Sequence, residues 1–499
     1  PQMAEVGLRT VINGPEAFTP DNEFCLGETE VGGFFVAAGF CAHGIAGAGG
    51  IGKVMAQWVV EGQPSLDLWH MDVSRFGSAY RSPSFTLART LENYRTYYDI
   101  AYPGLERAAG RPLRTSPVYA WHADHGADFG EKAGWERVNH YESNAASGDE
   151  SLRPHGWAGR SWSPAIQAEH VATRTNAGLF DETSFAKIQV HGPDAAEFLE
   201  HVCDNTVARG IGDVTYTQML NASGGIEADV TVTRVSDDEF WVITGTAYGS
   251  HDLAWLRKQA RCGSYQVGLT DITGQYVCFA LWGPAAREIL GSLTPADLRD
   301  EAFGFMTSRL VSVGDVPVRA LQVTFTGEHG WELYASTEYG ARLWEIVVES
   351  GEPLGLKVCG YRALDSLRLE KGYRVWSTDL TSETNPYEAG LGFCVKLDKP
   401  GGFTGQQALR EARAAGPTRK LCRLVLDDPR YVVLGAEPVR RADEVVGRVT
   451  SGGLGYTTQK SIACAYLPLA HAANGTRVAV NLFGDWQPAE VVDRLPVPG

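Results

Sequence analysis

Three segments place ionisable side chains among apolar ones. In YTQMLNASGGIEADVTVTR (216–234) a Gly-Gly turn joins two strands, and Asp229 interrupts a run of β-branched residues. Strand alternation turns Asp229 away from the face of Val230 and Val232. Standing alone, such an acid faces solvent or caps a turn. In FTGEHGWELYAS (325–336), Gly327 and Gly330 bracket a turn and Glu332 follows Trp331 in a strand-like run. A carboxylate there can accept two parallel hydrogen bonds from a planar amidine-like edge, as carboxylates do from guanidinium. In GYRALDSLRLEKGYRVWSTDLTSETNPYEAGL (360–391), Arg362, Asp365 and Arg368 follow one another at helical i,i+3 spacing beside an apolar face of Ala363, Leu364, Leu367 and Leu369. That pattern alone describes a solvated charged face.

A fourth candidate is CAHGIAGAGGIGK (41–53), where Gly47, Gly49, Gly50, Ile51 and Gly52 complete G-x-G-x-x-G, with Asp72 twenty residues beyond Gly52. A dinucleotide fingerprint puts its first glycine at the end of a strand. Here the strand ends near Phe40, CAHGIA intervenes, and no second β-α-β step follows Asp72. The motif satisfies the pattern and fails on context.

The elements that must hold these residues are legible in outline. Apolar GFFVAAGF (33–40) precedes the glycines and helix-like KVMAQWVVEG (53–62) follows them. The polar run 142–160 reads as a linker or exposed loop. Beyond residue 165, strands at 185–192, 227–235 and 239–245 alternate with amphipathic helices at 193–203 and 250–260. After the Pro/Gly-rich break KPGGFTGQQ, period-2 runs between 421 and 499 suggest a small barrel or jelly roll.

The bulk numbers exclude several classes. At 499 residues the chain exceeds one ordinary domain. No run of 18 uncharged apolar residues supports a membrane span. A formal charge of −16 without a basic stripe argues against nucleic acid. Nine scattered cysteines without C-x-x-C spacing favour neither a disulfide framework nor a zinc site, and point to a reducing compartment. The start PQMAEVGLRTV lacks signal-peptide features and an initiator Met. We therefore expect a cytoplasmic location, with the mitochondrial matrix as the alternative, and no metal site.

From about residue 165 onward the chain resembles the aminomethyltransferase (T-protein) of the glycine cleavage system, through AGLFDETSFAKIQVHGPDAAEFL, YTQMLNASGGIEADVTV, FTGEHGWELY, YRALDSLRLEKGYRVWSTDL, NPYEAGLGFCVKLDK and GRVTSGGLGYTTQKSIACAYLP. FTPDNEFCLGE, VGGFFVAAGF and AHGIAGAGGIGK resemble the last part of the flavin domain of dimethylglycine and sarcosine dehydrogenases, and 111–137 resembles their middle domain. The resemblance implies an α+β multidomain chain. Its parts would be the C-terminal end of an FAD-dependent (DAO-type) oxidoreductase domain at 1–77, a middle α+β domain at 78–145, a T-protein (GcvT) folate-binding fold at 160–410 and a C-terminal β-barrel at 418–499. The first half of the flavin domain is expected outside this sequence, in a further segment or another chain.

The resemblance also implies roles. Asp229 would sit at the reacting nitrogens of a bound tetrahydrofolate, orienting the attacking amine and steering its proton. Glu332 would grip the amino-pyrimidine edge of the pterin. Arg362 would pair with the cofactor's carboxylate tail, and Tyr216 and Trp376 would offer flat faces to its rings. T-proteins also use a C-terminal tyrosine, which the ending VVDRLPVPG lacks, leaving the tail's recognition open. His43, Gly44, Ile45, Gly47, Gly49, Gly50, Ile51, Gly52 and Lys53 would belong to a loop closing the FAD domain, with backbone N–H groups and the next helix's N-terminus facing the flavin ring. The implied reaction is oxidative demethylation of an N-methyl amine such as dimethylglycine or sarcosine. FAD takes the hydride, and tetrahydrofolate captures the one-carbon unit as 5,10-methylenetetrahydrofolate. A folate-only one-carbon transferase is the alternative, and a homo-oligomer is compatible with either.

Overall fold

A computed structural model describes residues 5–100, 102 and 104–495. PQMA at the start and PVPG at the end lie outside the described residues. The chain divides into two compact units, one formed by residues up to Ile100 together with Arg107–Gly110, the other by the remainder.

The smaller unit contains an antiparallel hairpin of β1 (Cys25–Glu28) and β2 (Phe35–Ala38), then helices α1 (Gly44–Glu61) and α2 (Pro83–Arg95). Ser82 caps α2 by accepting from the Phe85 N–H, and Pro83 fills the first helical position, where no N–H is needed. Arg75 forks onto Asp21 with 2.7 and 2.9 Å bonds. One expectation changes here. The glycine run is helical from Gly44 onward, so Gly47 through Lys53 are helix interior and not loop. Glycine is a poor helix former, and tertiary anchoring overrides that preference. Trp58 of α1 packs on Gly27 so closely that a Cβ at Gly27 would come within 2.5 Å of the indole. Just before the helix, Cys41 and Ala42 both take positive φ (45° and 65°), turning the chain sharply out of β2.

The larger unit begins with α3 (Tyr119–Asp124) and the hairpin β3 (Ala127–Lys132)–β4 (Trp135–Tyr141), followed by α4 (Pro164–Thr175). The segment 142–160, read above as a linker or exposed loop, is largely exposed and forms three short 3₁₀ turns against the body of this unit. Asn144 within it is buried and donates to the Glu169 carboxylate and to the Val358 carbonyl. Glu169 also accepts from the N–H groups of Tyr141 and Gly360 at 2.7 and 2.8 Å. Burial pushes its pKa up to about 8.

Two sheets follow. β5 (Ala177–Asp181), β6 (Ala186–His191), α5 (Ala195–Val202), β7 (Val214–Leu220), β8 (Ile226–Arg234), β9 (Glu239–Thr244), α6 (Gly249–Gly263) and β10 (Gly268–Asp271) come first in the chain. Then come β11 (Tyr276–Trp282), α7 (Ala286–Leu293), β12 (Ser308–Val313), β13 (Val316–Leu321), β14 (Gly330–Ser336), α8 (Gly340–Gly351), β15 (Leu356–Cys359) and α9 (Tyr361–Lys371). One sheet runs β10-β6-β9-β8-β7, and the other runs β12-β13-β14-β11-β5-β15. α5 and α6 cover the outer face of the first sheet through Phe198, Leu199 and Leu256 against Val230, Val232 and Val242. α7 and α8 cover the outer face of the second through Ile289, Trp344 and Val347 against Phe279, Leu281 and Leu333.

After α10 (Gln406–Ala415), the strands β16 (Arg419–Leu426), β17 (Pro438–Arg441), β18 (Glu444–Gly455), β19 (Lys460–Pro468), β20 (Arg477–Leu482) and β21 (Asp485–Val492) close into a barrel in the order β16-β19-β18-β17-β20-β21. This settles the choice between barrel and jelly roll. Among the described residues no helix is long and apolar enough to cross a membrane.

Candidate active site between two facing sheets

The inner faces of the two sheets meet where Val214, Trp241 and Ile243 of the first pack with Cys278, Leu321 and Tyr334 of the second. Strand register then fixes what else those faces carry. Thr231 pairs with Ile243, so Asp229, two residues back on β8, shares that inner face. Its partner in register is Gln218 on β7, whose amide donates to the Asp229 carboxylate at 2.8 Å. Lys187, opposite Ile243 on β6, is on the same face. Across the gap, Glu332 pairs with Ala280 and Leu321, and therefore stands on the same side as Cys278 and Tyr334. The Tyr334 hydroxyl donates to Glu332 at 2.6 Å. The alternation that buries Trp331 and Leu333 in the outer core is what turns Glu332 inward.

Electrostatics separate these acids from surface carboxylates. Burial, the largest influence, pushes Asp229 up to about 7, helped by the charge of Asp204 and opposed by hydrogen bonds from Gln218 and Tyr216. Burial also raises Glu332, with Tyr334 and Lys187 pulling the other way. Lys187 is itself fully buried; its ammonium donates to the carbonyls of Thr183 and Phe185 at 2.9 Å.

The structure thus brings Tyr216, Asp229 and Glu332 to facing walls. It packs Trp376 differently. Its indole N–H donates to the Ile226 carbonyl at 2.9 Å, the Tyr248 ring lies edge-on to it and His251 lies at 5.3 Å, so the ring is held within the protein at the end of β8. Arg362 is placed elsewhere again, among His140 and Tyr456, whose titrations it influences. Its neighbour Tyr361 takes the inward position, bonded to Ser184 at 3.2 Å and covered by the Arg137 guanidinium at 3.4 Å from the ring centroid.

Sequence reasoning missed Glu182. Its N–H donates to the Cys278 carbonyl at 2.8 Å, continuing the pairing of β5 with β11, so its side chain joins the inner face. It is fully buried, and neither carboxylate oxygen has a hydrogen-bond partner. Burial and then the charge of Glu332 hold its pKa well above the usual carboxylate range, against the pull of Arg137. The Gln218 carbonyl oxygen and the Arg137 Nε are likewise buried without a partner. In the sequence Glu182 is merely the second acid of an Asp-Glu pair at a strand end; no local signal turns it inward.

Of the residues expected at a flavin, His43 ends the turn before α1 and lies 2.5 Å from the Tyr97 hydroxyl. Gly44 and Ile45 form the first turn of the helix. The Gly47 N–H already bonds the His43 carbonyl at 2.8 Å. Gly49, Gly50 and Gly52 have open space where a Cβ would stand, so nothing described approaches them closely. Lys53 follows them along the helix.

With this geometry in place, similarity to known proteins is informative. The GCVT N-terminal domain family matches residues 118–399, and the glycine cleavage T-protein C-terminal barrel domain matches 419–497. The FAD dependent oxidoreductase central domain matches 61–116. Over 494 residues the chain is 35% identical to the mitochondrial dimethylglycine dehydrogenase of Rattus norvegicus, covering 99% of this chain and 57% of that protein. It is 37% identical over 468 residues to the 4-methylaminobutanoate oxidase (formaldehyde-forming) of Paenarthrobacter nicotinovorans, covering 94% of this chain and 56% of that one. The chain thus spans about half the length of these curated relatives. Among solved structures, the glycine cleavage system aminomethyltransferase T of Bartonella henselae superposes with a TM-score of 0.66 at 28% identity, covering 77% of this chain and 98% of that one. The chain belongs to the glycine-cleavage T-protein family and carries an FAD-dependent oxidoreductase central domain ahead of the T-protein module.

Proposed function

We propose that this chain carries the folate-dependent half of an oxidative demethylation of N-methyl amino acids, and that tetrahydrofolate binds between the facing sheets. The observation that carries the reading is the pairing of Asp229, poised near neutrality, with the inward carboxylates Glu332 and Glu182 across one gap. The fit is chemical. These walls present acceptors without donors: two oxygens on Glu182 and one on Gln218. The planar amino-pyrimidinone edge of a reduced pterin offers N–H donors, which carboxylates accept in pairs.

For a flavin, what this chain offers is the entrance of α1, where the backbone N–H groups of Gly44 and Ile45 belong to the unbonded first turn. FAD, when bound, supplies hydride acceptance from the N-methyl carbon. That oxidation leaves a methylene iminium on the substrate nitrogen. Capture forms two carbon–nitrogen bonds to the folate and breaks the one to the substrate. The demethylated amine takes one of the two displaced folate protons, and the other leaves. Asp229 stands where a base of pKa about 7 can accept that proton at neutral pH. Gln218 fixes the carboxylate's orientation through its 2.8 Å bond. Names of relatives suggest dimethylglycine, sarcosine or 4-methylaminobutanoate as substrates.

The test follows turnover of these amines by the flavin-loaded protein. Saturating tetrahydrofolate is expected to replace free formaldehyde with an equal yield of 5,10-methylenetetrahydrofolate. A formaldehyde yield indifferent to folate rejects the reading. The second reading is a folate-dependent one-carbon transferase without its own flavin. A purified protein that binds folate yet shows no flavin band after incubation with FAD selects it.

A further inference from the structure

Gln218, which orients Asp229, is itself held from behind. β7 lies at the edge of its sheet, with β8 on one side and no strand on the other. Asp204, just beyond the end of α5, takes the place of that strand. Its N–H donates to the Gln218 carbonyl, and its Oδ1 accepts from the Gln218 N–H, each at 3.0 Å. The Thr217 hydroxyl donates to the same oxygen at 2.9 Å. Because both main-chain groups of Gln218 point to Asp204, Gln218 and Asp229 form a non-hydrogen-bonded pair of the β7–β8 ladder. Such pairs bring Cα atoms to about 4.5 Å and their side chains closest. The Gln218 amide then reaches Asp229 at 2.8 Å. Asp204, Gln218 and Asp229 thus form one hydrogen-bonded series running in from the sheet edge.

The far end of the series carries an unanswered charge. Asp204 is fully buried, and its Oδ2 has no hydrogen-bond partner among the described residues. The neighbouring cation is engaged elsewhere. The Lys399 ammonium donates to the carbonyls of Cys203 and Asn205 at 2.9 and 2.6 Å and pairs with Glu200 at 2.6 Å. Burial pushes Asp204 up to about 6, against the bonds from Gln218 and Thr217 and the charge of Lys399. Asp204 is therefore ionised at neutral pH, where its charge makes Asp229 hold its proton more tightly. The other titratable groups around the two acids keep their charge state while the pair titrates. Burial raises Cys203, Cys394, Tyr216 and Tyr387, which stay neutral. Glu200 is paired with Lys399, and the positive charge of Arg374 opposes that of Asp204 at Asp229.

We propose that Asp204 is a positioning residue for Asp229: it locks Gln218 from the outer edge of β7, and its charge makes Asp229 the stronger base. The proposal rests on the reading of Asp229 as the base in folate capture and names what tunes it.

The experiment titrates the full chain by infrared spectroscopy, which detects a buried carboxyl through its protonated C=O stretch. The Asp229 band is the one that Asp229→Asn removes. In the wild type it should shift near pH 6, as Asp204 ionises beside it, and bleach near pH 7. Asp204→Asn keeps an oxygen for the Thr217 hydroxyl and the Gln218 N–H but removes the charge, so Asp229 should lose its proton at lower pH. Gln218→Met removes a hydrogen bond that favours the ionised form, so the proton should be lost at higher pH. The opposite signs separate charge from mere support, since an Asp204→Asn variant that only loosened Gln218 would shift upward as well. In the flavin-loaded protein the pH midpoint of folate capture should move down in Asp204→Asn. An upward shift or none in Asp204→Asn, or a wild-type band that ignores the ionisation of Asp204, overturns the proposal. A capture midpoint that stays in place while the Asp229 band moves overturns its use in the reaction. A wild-type formaldehyde yield indifferent to folate overturns the folate reading beneath it, even where the infrared shifts occur.

Discussion

Asp229 is costly to the fold in its ionised form. Its folded pKa of about 7 lies above the ordinary aspartate value of 3.8 because burial disfavours the charge. For a group raised in this way, the stabilising contribution is complete below pH 3.8. It is lost as pH rises through 7, since the unfolded chain releases the proton first. Asp229→Asn removes that dependence. The variant is expected to melt at a higher temperature than the wild type at pH 8, with the difference shrinking toward pH 5. Thermal melts across that range check it, and a pH-independent difference would count against an inward, desolvated carboxylate. The same variant should lose folate-coupled capture while the oxidation of the amine continues. In the wild type, capture should rise with pH around an apparent pKa near 7. Asp229 and Glu332 stood out because each interrupts an apolar strand, but that context alone favours solvent, and only the family resemblance assigned them to a shared site. Glu182 was not, because its inward direction depends on pairing with Cys278 far along the chain.

Elements place these side chains, and the β7–β8 hairpin has least room for error. Its turn is closed by Asn221, whose side-chain oxygen accepts from the N–H groups of Ser223 and Gly225. Gly224 takes φ +81°, and a Cβ on Gly225 would lie 1.8 Å from the Ser382 carbonyl. Gly225→Ala must push these backbones apart, a cost of about 1–3 kcal/mol, and the displacement is transmitted to Asp229 four residues along. We expect a lower melting temperature together with weaker folate binding. Unaltered binding in a destabilised variant would separate the turn from the site. The hairpin was readable from its glycines, β6 and β8 from alternation, and β9 from a continuous apolar run that is buried on both faces. The second half of α1 was expected as a helix at 53–62; the same logic failed for its first half, where local glycine content argued for a loop and the structure continues the helix that Trp58 anchors on Gly27. It failed in part for 142–160, which is largely exposed as expected but is tied to the body by Asn144, bonded to Glu169 and Val358.

At the scale of the whole chain, apolar exposure is unevenly distributed. In the smaller unit Ile45 is 97% exposed, Val60 83%, Tyr98 93% and Leu87 58%. Those residues lie on or beside α1 and α2, and scattered single exposures are ordinary whereas one continuous apolar patch would not be. The larger unit, by contrast, encloses three continuous cores and carries every residue assigned to folate. Among the described residues, its segment ahead of Arg107 is tied to the rest of the unit chiefly by the stacking of Tyr102 on Trp157 and the bond from the Glu131 N–H to Glu106. A chain beginning at Arg111 should therefore fold and bind 5-formyltetrahydrofolate within about twofold of the full chain, a difference below ~0.5 kcal/mol. The full chain should bind the apolar dye ANS, and the shortened one should bind much less. Loss of folate affinity on shortening would show that the smaller unit shapes the folate site, and equal dye binding would show that its apolar residues form no continuous surface.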